Sequence, residues 1–303
     1  MINIKQLNPQ KDILVIFGAT ASGKSDLAIK LAKELNGVIL NADASQIYKE
    51  APILSNLPSQ ADLSLAPHKL FAYLSLVEES SVVNWLNLCV KEINLAKENQ
   101  KLPVVVGGSG MYISSLINGI SDIPSNPQKK QEAIETHNTM GYEKFLSLLQ
   151  KIDPSFTNKV SDAQRLIRAY EVYLYTGKPF SFYQNQPKVK YANGNFINVF
   201  LNPNRELLYE KINLRTKQMF AKNILGEATN ILKLTENEIH HKKILGLKEI
   251  ISYIKNENSL EFTIDKIQQK TRNYAKRQIT WFTHQIQEKI TIKNGDEFFN
   301  KKS

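Results

Sequence analysis

Apolar and polar positions fall into three regimes along this chain. Over the first hundred residues, short apolar runs alternate with segments of helical spacing. Ile13–Phe17 (ILVIF) is a wholly apolar, β-branched run of the kind buried in a parallel sheet. Asp26–Leu35 then puts Leu27, Ala28, Leu31 and Leu35 on one face, which predicts a helix. Val38–Ala42 predicts a second strand, Leu70–Leu74 a third and Pro103–Gly107 another, with a helix over Val82–Glu98 before the last. Strand and helix alternating at this pace predict a doubly wound α/β domain with a mainly parallel sheet. Phe196–Asn202 predicts a strand that returns to that sheet late in the chain.

The second regime, from about Asn126 to Gln186, carries helical spacing only. The predicted helices are Gln128–Thr136, Tyr142–Lys151 and Ala163–Thr176, with Asp162 as N-cap, Gly177 as stop and a turn at Asp153-Pro154. After Asn202 the pattern is helical to the end, closing in a long helix over Ile264–Lys289. The expected organisation is an α/β core over 1–125, a helical insertion over 126–186, and a last segment, 187–303, holding the return strand and a basic helical region.

Composition narrows the class. The 303 residues suffice for a full core, and no apolar run approaches the roughly 18–20 residues of a membrane helix. The N-terminal stretch lacks the basic, apolar and cleavage regions of a signal peptide, so a cytoplasmic protein is expected. The lone cysteine, Cys89, is expected to be a small buried residue. Net charge is +10, and from Leu201 onward 19 Lys and Arg stand against 12 Asp and Glu. That bias fits a nucleic-acid partner, and equally fits a lysine- and asparagine-rich genome. The five histidines show no metal-ligand spacing; His68 is read as a structural hydrogen-bonder, and His240–His241 point apart on a helix.

Gly18–Ser25 (GATASGKS) fits the phosphate-loop pattern GxxxxGK[ST], with an apolar strand before it and a helix after. Its amides can curl around an anion at a helix N-terminus, Lys24 can add a point charge, and the Ser25 hydroxyl can ligate Mg²⁺. The partners of a nucleotide hydrolase are missing. Val104–Val106 runs into Gly107-Gly108-Ser109-Gly110 rather than an acid, and the nearest string to a guanine motif, Asn158–Ser161, ends in serine. Asp43 is the one acid at a strand end near the loop. Its position suits a general base, and equally a helix N-cap or an indirect Mg²⁺ ligand.

The strings GATASGKS, NADASQIY, APHKL, LPVVVGGSGMY, DAQRLIRAYEV, TGKP, LGLKE and AKRQITWF occur here in this order. From about Ile13 to Phe282 the chain resembles the bacterial tRNA dimethylallyltransferases, or tRNA isopentenyltransferases. The resemblance implies that the loop holds the pyrophosphate of dimethylallyl diphosphate. It further implies transfer of the prenyl group, with Mg²⁺, to N6 of the adenosine 3′ of the anticodon in tRNA, with release of pyrophosphate by a monomer.

By that resemblance the diphosphate contacts are Gly18, Thr20, Ala21, Ser22, Gly23, Lys24, Ser25 and Arg215, with Ser25 on the metal. Asp43 and Ser109 would be catalytic. Asp43, Ala44, Ser45, Gln46 and Ser109 would meet the target adenosine. Lys130, Gln164, Arg165, Leu166, Ile167 and Arg168 would hold the anticodon loop, with Lys276 and Arg277 on phosphate. Read as residues alone, Arg165 and Arg168 are equally a solvated helix face, and Trp281 and Phe282 are core. The chain departs from the family at Glu50–Pro58 (EAPILSNLP for a GxDIGTAKP-like loop), Ala44, Ala72 and Leu247. The first departure is expected to reshape the loop beside the adenosine. The retained groups predict an active enzyme; the rival readings are a P-loop small-molecule kinase and a tRNA-binding protein without activity.

Overall fold

The computed structural model describes residues 6–155, 162–234 and 244–300, so the Asn158–Ser161 string and the His240–His241 pair lie outside the described residues. Two compact units divide the chain: Met1–Ile117 with Tyr191–Ser303, and Asn118–Lys190.

The first unit is built on six strands: β1 (Asp12–Gly18), β2 (Gly37–Asn41), β3 (His68–Lys69), β4 (Leu102–Gly107), β5 (Asn195–Leu201) and β6 (Ile290–Ile292). Their order is β3-β2-β4-β1-β5-β6, and every pairing is parallel. β1 sits centrally, with Ile16 opposite Val106 on one side and Val199 on the other. All seven of its residues are buried, as a strand covered by helices on both faces requires. On one face α1 (Lys24–Glu34) packs Leu27, Ala28 and Leu31 against Leu14, Ile16, Val104 and Val199. On the sheet also lies α3 (Val82–Glu98), whose buried Trp85 stacks on Tyr112 at 4.3 Å and donates its indole N–H to the Asn41 carbonyl at 2.8 Å. Cys89 is fully buried, and burial pushes its thiol up.

Two expectations are corrected. Leu70–Leu74 is not a strand: the third strand is His68–Lys69, and Leu70 and Ala72 hold φ of 65° and 47°, outside any β conformation. The region after Asn202 is not purely helical either. Between the long α12 (Leu260–Gln285) and the short α13 (Gly295–Asn300), Ile290–Ile292 pairs with Val199–Leu201 as an edge strand. His68 does bond locally, through Nδ1 to the Ala66 carbonyl at 2.8 Å. Phe282 is core, closing a three-ring cluster with Phe17 and Phe200 at 4.9 and 5.9 Å.

The second unit holds α5 (Pro127–Met140), α6 (Tyr142–Ile152), α7 (Ala163–Thr176) and α8 (Phe180–Gln184), following α4 (Gly110–Asn118). Asp162 caps α7 by accepting from the Gln164 amide, and Gly177 ends it at φ 70°. Phe145, Leu149, Leu166 and Ala169 form the core of the three longer helices. Near its ends the unit is tied by a two-way backbone bridge between Ile120 and Val189. Glu171, 1% exposed, accepts from Arg168 Nη1 at 2.6 Å, Ser125 Oγ at 2.8 Å and the Asn126 amide at 3.0 Å. Removing it leaves the half-buried guanidinium and two donors unsatisfied. Glu171→Ala is therefore expected to destabilise this unit by about 2–4 kcal/mol, read as a lowered urea midpoint.

Candidate active site

The chain leaves β1 at the centre of the sheet, where a cleft forms outside the carboxyl ends of the strands. Gly18 ends that strand with no room for a side chain: an added Cβ would stand 2.3 Å from the Leu201 carbonyl oxygen. Ala21 and Gly23 take φ of 62° and 93°, which curls the loop before α1 begins at Lys24. The loop opens into a cavity of about 540 Å³. Thr20, Ala21, Ser22, Gly23, Lys24 and Ser25 line it together with Asp43, Ala44, Ser45, Gln46, Ser109 and Arg215.

Lys24 is buried and its Nζ donates to the Ala19 carbonyl at 2.6 Å. Burial lowers its ammonium to about 8; Asp43 opposes that fall, and Arg215 adds to it. Arg215, on α9 (Arg205–Ala221), is lowered by burial and supported by Asp43. Lys24, Lys211 and Arg215 thus share one cavity with Asp26 and Asp43. Ser22 Oγ is buried beside them without a hydrogen-bond partner among the described residues. A buried hydroxyl without a partner, in a loop that lines the same cavity as Lys24 and Arg215, is a donor still to be satisfied.

Asp43 is held in a turn beyond β2. Its amide donates to Asn41 Oδ1 at 2.8 Å, and its Oδ1 accepts from the Ser45 amide and hydroxyl at 3.0 and 2.7 Å. No helix begins there, so Asp43 is not a helix cap. Ser109 Oγ accepts the Ala44 amide at 2.8 Å, which ties the turn to the segment after β4. Gly107 allows that approach, since an added Cβ would fall 2.1 Å from the Ala42 carbonyl oxygen. Gln46 spends both amide protons on the Ser55 and Asn56 carbonyls, at 3.1 and 2.7 Å.

Gln278 was not singled out from the sequence. On α12 it stands among Thr271, Ala275 and Phe282 on the buried face, and a glutamine in that row is the signal that marks it. Its Oε1 accepts the Thr20 amide at 2.9 Å, and its Nε2 donates to the Gly108 carbonyl at 2.8 Å. One side chain thereby fastens the phosphate loop to the Gly107–Ser109 segment. Tyr274, one turn earlier, also lines the cavity; burial raises its hydroxyl, and so does Asp43.

The remaining candidates lie elsewhere. Lys276 and Arg277 are exposed on α12; Arg277 stacks over Tyr274 at 5.8 Å and borders a second, 180 Å³ groove with Trp281 and Met111. Lys130 and Gln164–Arg168 belong to the second unit. Gln164 and Arg165 are exposed there, Ile167 is half-buried, and Leu166 is fully buried, so its side chain packs rather than projects. Arg168 is committed internally, to Glu171 and to the Ile123 and Pro124 carbonyls at 3.0 and 2.9 Å.

Among the described residues no group of three His, Cys, Asp or Glu side chains could hold a metal ion. The donors present are a carboxylate and a hydroxyl, Asp43 and Ser25, facing a loop built for phosphate. That set fits Mg²⁺, which typically takes one or two protein oxygens and completes its shell with substrate phosphates and water.

Fold and cavity define a P-loop α/β protein whose phosphate loop shares its cavity with a carboxylate and an arginine. A profile of the IPP transferase family matches residues 46–285. A tRNA dimethylallyltransferase of Rickettsia bellii (strain RML369-C) is 41% identical over 293 residues, covering 95% of this chain and 93% of that protein. The crystal structure of the full-length tRNA isopentenylpyrophosphate transferase from Bacillus halodurans superposes with TM-score 0.64 at 29% identity, covering 91% of this chain and 87% of that one. A eukaryotic dimethylallyltransferase acting on tRNA superposes with TM-score 0.75 at 26% identity, covering 90% and 70%. The chain belongs to the IPP transferase family.

Lys24 supplies the test of this geometry. Because its free value lies near 8, the neutral form predominates above that pH, while an anion in the loop favours the ammonium. Anion binding therefore takes up a proton near and above pH 8 and weakens as pH rises through it. Carbon NMR of the Lys24 side chain is expected to show a midpoint near 8 that moves upward when inorganic pyrophosphate is added. A free midpoint at the ordinary lysine value of about 10.4 contradicts the burial.

Proposed function

We propose that this protein transfers a dimethylallyl group from dimethylallyl diphosphate to N6 of the adenosine 3′ of the anticodon in tRNA, releasing pyrophosphate. The observation that carries the proposal is the convergence of Lys24, Arg215 and the orphaned Ser22 hydroxyl with Asp43 in one cavity. Such a site can hold a diphosphate on its cations while a carboxylate in the same cavity meets an incoming nucleophile. Family membership and the names of its relatives support the same reaction.

In this reading the loop amides, Lys24 and Arg215 bind the diphosphate and stabilise the charge that grows on it as the allylic C–O bond breaks. The C–N bond forms from N6 of adenine, and the proton of that amine passes to Asp43. Ser45 occupies Asp43 Oδ1, so Oδ2 is the oxygen that takes it. Gln46 and the Ser109–Ala44 bond orient the acceptor, which matters because adenine N6 is a weak nucleophile. Mg²⁺ at Ser25, with Asp43 close by, would add charge neutralisation for the departing diphosphate. Gln164 and Arg165, the exposed members of the Gln164–Arg168 stretch, would meet the anticodon loop, with Lys130 on the same unit and Lys276 and Arg277 meeting phosphate. Unstacked loop bases are the usual target of sequence-specific RNA recognition.

The same reading makes this a cytoplasmic monomer. Among the described residues no helix is long and apolar enough to cross a membrane.

Nucleoside mass spectrometry tests the proposal after incubation with unmodified tRNA, Mg²⁺ and dimethylallyl diphosphate. N6-isopentenyladenosine is the expected product, and Asp43→Ala is expected to slow its formation by about 10²–10⁴-fold. Undiminished product from the variant would remove Asp43 from the mechanism.

A further inference from the structure

The segment after Tyr48 departs from the pattern of the family it resembles, yet it is firmly anchored. Glu227 projects from α10 (Ile224–Leu234), and each of its carboxylate oxygens accepts one amide: Oε2 from Ile53 at 2.7 Å, Oε1 from Leu54 at 2.8 Å. Glu227 and Leu54 are 8% and 4% exposed. The next two residues, Ser55 and Asn56, present their carbonyls to the two amide protons of Gln46. Residues 53–56 are thus held from α10 on one side and tied to Gln46 on the other. Leu54, Ser55 and Asn56 form cavity wall beside Gln46.

The chemistry of this chain of contacts is directional. A carboxylate can accept from two adjacent N–H groups with one oxygen each; an amide in its place would turn an NH₂ toward one of them. With both Gln46 protons consumed by the loop, the only group Gln46 has left is Oε1, an acceptor. An acceptor suits a donor such as an exocyclic amine.

We propose that Glu227 is a positioning residue for the acceptor base. By fixing the Ile53 and Leu54 amides it fixes the Ser55 and Asn56 carbonyls, and these set the amide plane of Gln46. The altered loop therefore retains a defined acceptor site, held through a carboxylate that never touches substrate. This inference rests on the reading of the cavity as a prenyl-transfer site.

Steady-state kinetics on Glu227→Gln, Gln46→Ala and the double variant test it, with an anticodon stem-loop RNA and dimethylallyl diphosphate as substrates. Glu227→Gln is expected to lower kcat/KM for RNA about tenfold or more, while KM for the diphosphate stays within about twofold, since the phosphate loop is untouched. The double variant is expected to be no worse than Gln46→Ala alone, and Glu227→Asp to recover part of the loss. Should Glu227→Gln fail to fold, Glu227→Asp carries the same cycle with the charge kept and the reach shortened. Additive losses, or an equal rise in both KM values, would overturn the positioning role. No product from the wild-type protein would overturn the prenyl-transfer reading itself, and this inference with it; product with additive losses overturns this inference alone.

Discussion

A lysine ammonium withdrawn from water at the start of the helix that follows the central strand is the constraint on which the rest of this structure turns. Burial lowers Lys24 toward neutrality, Arg215 pushes the same way, and Asp43 is the charge that opposes them. A cluster with more positive than negative charge, held out of water, is costly unless an anion completes it. A loop with that deficit is organised around its ligand before the ligand binds, which is the condition for electrostatic catalysis without reorganisation.

The surrounding architecture serves to hold the cluster still. Gly18 and Gly107 let backbones approach where any side chain would collide, so the phosphate loop and the Asp43 turn can share one cavity. Gln278 joins the loop to the segment after β4, and the Phe17–Phe200–Phe282 rings seat its helix on the sheet one turn further along. On the far wall, Glu227 and Gln46 grip residues 53–56 from opposite sides. Gln278, Glu227 and Gln46 are buried or half-buried, and each bonds to two backbone groups, so these contacts come in pairs.

Elements with a strong period were legible in the chain. Ile13–Phe17 lies within β1, Val82–Glu98 is a helix over those very residues, and Ala163–Thr176 is bounded by the cap and stop that its sequence predicts. Short elements were not. Ile290–Ile292 is three residues long and becomes a strand only because β5 offers an open edge; Leu70–Leu74 has strand composition, but the chain turns there at positive φ. At the site, the phosphate loop and Asp43 stood out because a GxxxxGK[ST] spacing between strand and helix, and an acid just past a strand end, are local patterns. Gln278 and Glu227 were silent because each acts on backbone groups far away in sequence, 258 and 174 residues distant, and no local pattern encodes such a pairing. Arg168 shows the converse: an arginine on an amphipathic helix that looks available is spent on Glu171 and two carbonyls.

Under the proposed function, the buried cluster serves a prenyl diphosphate rather than a nucleotide. Calorimetric competition between dimethylallyl diphosphate and ATP, with Mg²⁺ present and RNA omitted so that no turnover consumes the ligand, tests it most directly. The prenyl diphosphate is expected to bind and not to be displaced by equimolar ATP, and Lys24→Met is expected to abolish this binding. Preferential binding of ATP, with the prenyl diphosphate displaced, would contradict it.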